Sequence, residues 1–335
     1  MMDHDGKKDW TEPNGIFIVN IPIEWQYRNV AVKGVQEKSP YSFEPYENSV
    51  GCFQLSCYPL NERGPNKSQP IQLSNSKIEW LPSRMDSDEF DLYVFHAQVD
   101  DQLCMAKYIY SAKHRKNKEI EAQLGLVQLA LDSLRVIPMS DRSLAANLAK
   151  YDNFLGSLIA SHDLLGKAVE SESHIELVVL LANQIDAFLR LSIVLKMQLV
   201  RETNDIEMKY LFQGDTEKGI SERPIYDKAL ELGIIDNEIF TKLDELYALR
   251  NRVIHRYIIS FLKTRDIMEI VVGYFEVSDK VRLMLRSYED AQIGRSFGIY
   301  GNGFIRHEVP DESDFRRAYA MANDKHLLGK LMRKL

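Results

Sequence analysis

The residues best suited to chemistry lie in one segment, Leu243 to Arg265, which reads LDELYALRNRVIHRYIISFLKTR. On a helix at about 100° per residue, Leu243, Leu246, Val253, Ile254, Tyr257 and Phe261 make one apolar stripe, and Arg250 falls near its middle. A guanidinium facing a core is costly unless it is paired, because its charge must leave water. The stripe therefore predicts either a buried carboxylate partner for Arg250 or a functional cleft opening over this face. Asn251 and His255 are four residues apart and stack on one adjacent face. Arg250 and His255 lie about 140° apart around the helix, so they can line two sides of one groove. Between Leu246 and Arg265 stand five basic residues, Arg250, Arg252, Arg256, Lys263 and Arg265, and no acid.

The string Arg250-Asn251-Arg252-Val253-Ile254-His255 resembles the R-N-x-x-x-H signature of HEPN domains. With Arg256-Tyr257 it is similar to the longer R-x4-H-x-Y form found in HEPN toxins paired with MNT nucleotidyltransferase antitoxins. The resemblance covers roughly residues 145–290 and implies a helical bundle and a metal-independent ribonuclease of toxin or defence type. It implies His255 as acid or base when a 2′-hydroxyl attacks the adjacent phosphate, and Arg250 as the cation steadying the phosphorane. Asn251 would orient His255 or the phosphate, and Tyr257 matches the tyrosine that the antitoxin adenylylates. Arg252 and Arg256 would contact RNA. Two copies of the motif meet across a dimer in that family, so a homodimer is expected, with an antitoxin or regulatory protein as a further partner. A non-catalytic dimeric scaffold, using the bundle for dimerisation or nucleotide binding, is the alternative.

Asn183, Asp186 and Arg190 occupy a narrow polar arc on an otherwise apolar helix. HEPN domains commonly bring a polar residue from an earlier helix to the motif, so Asp186 is a candidate partner for Arg250. The competing expectation is an Asp186–Arg190 pair one turn apart, worth a few tenths of a kcal/mol (~0.3). Candidate helices span Ser143–Glu170, Ser173–Thr203, Ile225–Leu232, Asn237–Leu262 and Asp266–Ser287. Ser173 with Glu176 gives a capping-box signature, and Gly233 a C-cap.

The first part of the chain reads differently. Gly15–Gln26, Gly51–Tyr58, Phe90–Val99 and Leu103–Ala112 are strand candidates. The last alternates, with Cys104, Ala106, Tyr108 and Tyr110 on one face. Asp100-Asp101 reads as a hairpin turn, and Lys118–Val136 as a helix ended by Pro138. FIVNIPIEW (Phe17–Trp25), GCFQLSCY (Gly51–Tyr58) and SLRVI (Ser133–Ile137) resemble the Mog1/PsbP-like fold, which implies a binding or adaptor module. The expected organisation is an α+β module over 1–140, an all-α HEPN-like bundle over 141–290, and a C-terminal hairpin and helix over 291–335. The hairpin would join Ser296–Tyr300 to Phe304–Val309 through Gly301-Asn302-Gly303. Whether the final helix is a partner-binding arm or packs on the bundle is left open.

At 335 residues the chain has room for about two domains. Its net charge, 42 − 49 = −7, argues against indiscriminate coating of nucleic acid, yet suits action on RNA at one basic cleft. Three cysteines exclude a disulfide framework, and Cys52 and Cys57, five apart on a strand, should face opposite ways. No His, Cys or acidic set has metal-ligand spacing, and no cofactor is called for. The apolar stretch Ile175–Val200 is interrupted by Asp186, Arg190 and Lys196, so it reads as a buried helix rather than a membrane span. A cytoplasmic location is expected.

Overall fold

The computed structural model describes residues 6–28, 39–60, 70–73, 77–213, 218–301 and 311–328. A β-sheet region over residues 7–136 is followed by a helical region over 142–326. Two compact units divide the chain: residues 1–149 together with 312–335, and residues 150–311.

Among the described residues the first unit holds two sheets. β1 (Lys7–Thr11), β2 (Phe17–Pro22) and β10 (Arg135–Val136) form a three-stranded sheet in the order β1-β2-β10. The larger sheet contains β3 (Trp25–Arg28), β4 (Tyr41–Pro45), β5 (Gly51–Pro59), β6 (Ile71–Gln72), β7 (Leu81–Asp86), β8 (Phe90–Val99) and β9 (Gln102–Ser111). Its order is β3-β4-β5-β9-β8-β6, with β7 also paired to β8. Alternation along β9 buries Cys104, Ala106, Tyr108 and Tyr110, as the period-2 pattern requires. Asp100 takes the left-handed conformation, with φ 47°, in the β8–β9 hairpin. Helix α1 (Glu119–Ser133) packs on β2 and β5 and seats Val127, Ala130 and Leu131 in a core with Phe17, Val19, Ile21, Phe43 and Phe53.

Two expectations shift here. The helix expected through Val136 stops at Ser133, and Leu134 turns extended so that Arg135 and Val136 can pair with Ile18 and Phe17. β1 is an addition, because KKDWT is too polar to read as a strand by itself. Its pairing with β2 places Trp10 opposite Val19 and 5.0 Å from the rings of Tyr27 and Phe43.

Helix α2 (Arg142–Glu170) leads into the second unit, where α3 (His174–Arg201) is the central element. It packs along α6 (Thr264–Gln292) and also against α4 (Glu222–Glu231) and α5 (Asn237–Arg256). By length and composition α3 could cross a membrane, but 72% of its most apolar window is buried inside the protein. Two of its buried amides are satisfied: Gln184 donates to Ser161 Oγ at 3.0 Å, and Gln198 Oε1 accepts from Gln292 at 3.0 Å. Ser173 sits at the N-cap of α3 without a side-chain capping bond. Gly233, with φ 64°, follows α4 and donates to Leu230 O at 3.0 Å, the left-handed stop that glycine allows without a Cβ penalty.

The final helix, α7 (Glu312–His326), belongs to the first unit, where Lys8 Nζ meets Asp324 at 2.6 Å. Residues 296–300 run as bends and turns, and the second hairpin arm, 304–309, lies outside the described residues.

Candidate functional site

The motif helix α5 begins where Asp236 Oδ1 accepts the Ile239 N–H at 2.8 Å, a cap worth ~1 kcal/mol. Leu243, Leu246 and Val253 are buried, which fixes the face that α5 turns to the core. The rest of the expected stripe is not covered. The helix ends at Arg256 rather than Leu262, and Ile254, Tyr257 and Phe261 are exposed. Ile258 and Ile259, at 92% and 82% exposure, form a β-branched pair with no core to pack on. Such residues gain little from a helix without that packing. The next helix starts independently, Asp266 accepting the Lys263 N–H at 2.9 Å.

Arg250 does have a buried carboxylate partner, and it is Glu222 at the start of α4. Both side chains are largely enclosed, at 14% and 16% exposure. Arg250 Nη2 also donates to Asn251 Oδ1 at 3.3 Å, and the guanidinium lies 4.9 Å from the Tyr247 ring centroid. Its Nε has no partner among the described residues. Burial is the largest influence and works against the charge, but the hydrogen bond to Glu222 and the charge of Glu222 together hold Arg250 above its ordinary pKa. Glu222 is shared: the Tyr226 hydroxyl donates to its Oε2 at 3.2 Å. Burial, then the Glu222 charge, push the Tyr226 hydroxyl well up.

Asp186 does not take the role of partner to Arg250. It pairs with Arg190 at 2.6 Å, because one turn of the same helix already supplies a cation. Arg190 is engaged further, donating to Tyr210 O at 3.0 Å and to Ile220 O at 2.5 Å, so it ties the segment before α4 to α3. Burial raises the Asp186 carboxyl despite Arg190, and its Oδ1 has no hydrogen-bond partner among the described residues. Asn183 is exposed, and its side chain makes no hydrogen bond among the described residues.

His255 stands in the last turn of α5, exposed and without a hydrogen-bond partner among the described residues. A basic residue there is favourably placed against the helix dipole. Arg252, Arg256, Lys263 and Arg265 make no ion pair among the described residues, so Arg250 alone of the five basic residues is neutralised there. Tyr257 is exposed at the C-cap. Sequence reasoning missed Glu222, Tyr226 and Tyr247. Tyr247 was legible from its i,i+3 spacing to Arg250. Glu222 was hidden because α4 starts three residues before the expected Ile225, although Ser221 as N-cap and Pro224 in the first turn signal that start.

A groove between α5 and α6, lined by Glu238, Lys242, Glu245, Glu276 and Lys280 among others, lies along the first half of α5, away from Arg250 and His255. No group of three or more His, Cys, Asp or Glu is placed to hold a metal ion among the described residues.

No family model matches the chain, and no curated protein matches it. A solved structure from Bacteroides thetaiotaomicron VPI-5482, at 1.50 Å resolution, is similar over 54% of this chain and 77% of its own, at 10% identity and a TM-score of 0.27. A likeness that slight carries no argument.

Proposed function

We propose that the chain is a HEPN-type, metal-independent endoribonuclease of toxin or defence systems, acting on RNA at a cleft between two copies in the cytoplasm. The observation that carries this reading is the contrast within one helix end. Arg250 is locked by Glu222 and Tyr247, while His255, Arg252 and Arg256 nearby are exposed and unengaged among the described residues. A fixed guanidinium suits a developing phosphorane charge, because it needs no reorganisation during the reaction. A solvent-reaching imidazole suits proton transfer near neutral pH.

In the cleavage step the 2′-oxygen attacks phosphorus, the P–O5′ bond breaks, one base takes the 2′-hydroxyl proton, and one acid protonates the 5′-oxygen. The products are a 2′,3′-cyclic phosphate and a 5′-hydroxyl end. Two groups are needed, and His255 from each of two copies supplies them. Support for the dimer comes from the exposed apolar residues Ile254, Ile258, Ile259, Phe261, Met268 and Val272, which surround the end of α5 and the start of α6. Patches of this kind mark interaction surfaces. Exposed Tyr257 is reachable by a modifying antitoxin, and the first unit would serve as the adaptor module.

A second reading, a dimeric scaffold without catalysis, draws on the same ion pair: Glu222 already neutralises Arg250. Incubation of the purified chain with RNA in EDTA separates the two. Cleavage that is lost in Arg250→Ala and His255→Ala supports the ribonuclease; no cleavage by the wild type supports the scaffold.

A further inference from the structure

We propose that Cys57 and Cys104 are a cross-strand dithiol that closes to a disulfide when the protein meets a disulfide-class oxidant such as oxidised glutathione. The two residues are register partners on antiparallel β5 and β9, the pair at the centre of the larger sheet. Their sulfurs lie 3.1 Å apart, and their exposures are 8% and 0%. Cα atoms directly opposite on antiparallel strands are about 4.5 or 5.5 Å apart, and both separations fall inside the range of about 4.4–6.8 Å that a disulfide spans. Closure therefore needs side-chain rotation only, with no change of register. Cys52 is excluded as a partner, because it sits opposite Ile109 and five residues from Cys57, on the other face of the sheet. The sequence spacing sets Cys52 and Cys57 on opposite faces, and the fold brings Cys57 to Cys104.

The chemistry is two exchanges. One cysteine thiolate attacks glutathione disulfide and releases one glutathione thiolate. The second cysteine then attacks the mixed disulfide and releases the other. The two electrons pass to the two glutathiones, which also carry away both thiol protons. Burial pushes the Cys57 thiol up, which keeps the reactive thiolate scarce, so the reaction is followed to its end rather than timed.

The test uses the full chain, reduced and then held with oxidised glutathione until its thiol count is constant. Acid quenching, unfolding and alkylation then precede mass analysis. The expected result is three alkylated cysteines before oxidation and one after, with the remaining label on Cys52 and a linked Cys57–Cys104 peptide in the digest. Cys52→Ser should still form the link, and Cys104→Ser should not. Retention of all three labels, or oxidation confined to a glutathione adduct or an intermolecular bridge at Cys52, would overturn the proposal.

Discussion

Replacing Glu222 by Gln removes one charge from the Arg250 ion pair while keeping the side chain's size. The two side chains are 16% and 14% exposed, so the pair lies nearer the buried than the exposed limit. Removing one partner of a fully buried pair costs about 3–5 kcal/mol, whereas an exposed pair is worth about 0–1 kcal/mol. The substituted amide keeps an oxygen that can accept from Arg250 or Tyr226, and the Tyr247 ring, 4.9 Å away, still faces the cation, a contact worth about 0.5–2 kcal/mol. Together these place the expected loss at about 2 kcal/mol, between the limits. With a urea slope of about 2 kcal/mol/M, the unfolding midpoint of the helical unit should fall by about 1 M. Far-UV circular dichroism in a urea series reads this directly. In an Arg250→Met background the same substitution should cost much less, since the coupling has gone. An unchanged midpoint in Glu222→Gln, or equal losses in both backgrounds, would refute the claim that Glu222 holds Arg250.

A Cβ added at Gly51 would lie 2.5 Å from the ring carbon and hydroxyl of buried Tyr108, whose hydroxyl is held by Gln123 at 2.7 Å, so Gly51→Ala should cost about 1–3 kcal/mol and lower the melting temperature. Asp91 receives Arg115 Nε at 2.8 Å and Nη2 at 2.6 Å, and these bonds hold its carboxyl below the usual range. A depressed pKa contributes stability that is present above the unfolded value and lost as pH falls through the folded one. The stability gap between wild type and Asp91→Asn, measured by urea unfolding across pH, should therefore be full at neutral pH and narrow on acidification; a gap that widens would contradict it. For the proposed dimer, Ile258→Ser with Phe261→Ser should halve the mass seen by light scattering and leave circular dichroism unchanged, because both side chains are exposed in the single chain; a wild type of monomer mass would contradict the dimer.

The sequence was informative where burial is periodic. Alternation marked β9 because every second side chain of a half-buried strand faces the core, and a long apolar stretch, interrupted by Asp186, Arg190 and Lys196, marked α3 because most of it is covered. It was uninformative where pairing partners decide the state. β1 is polar and exists through β2, and Arg135–Val136 continue a helical pattern yet join a sheet. At the candidate site, the cost of an unpaired cation made legible that Arg250 needs a carboxylate or an open cleft, but not which, nor that the carboxylate is Glu222. Asp186 lay on the right helix and was already taken by Arg190, whereas Glu222 comes from 28 residues earlier in the chain than Arg250. The last turns of the motif helix misled for a related reason. Tyr257 and Phe261 fit the stripe by spacing, but the core they would have packed against ends at Val253.

The most direct test of the ribonuclease proposal is the chemistry of RNA ends after incubation with the full chain in EDTA. Wild type should leave 2′,3′-cyclic phosphate and 5′-hydroxyl ends, and His255→Ala, matched to it in unfolding midpoint, should slow their appearance by about 100-fold or more, the usual contribution of a general acid or base. Cleavage at the same rate by His255→Ala, or no cleavage by the wild type, would contradict the proposal.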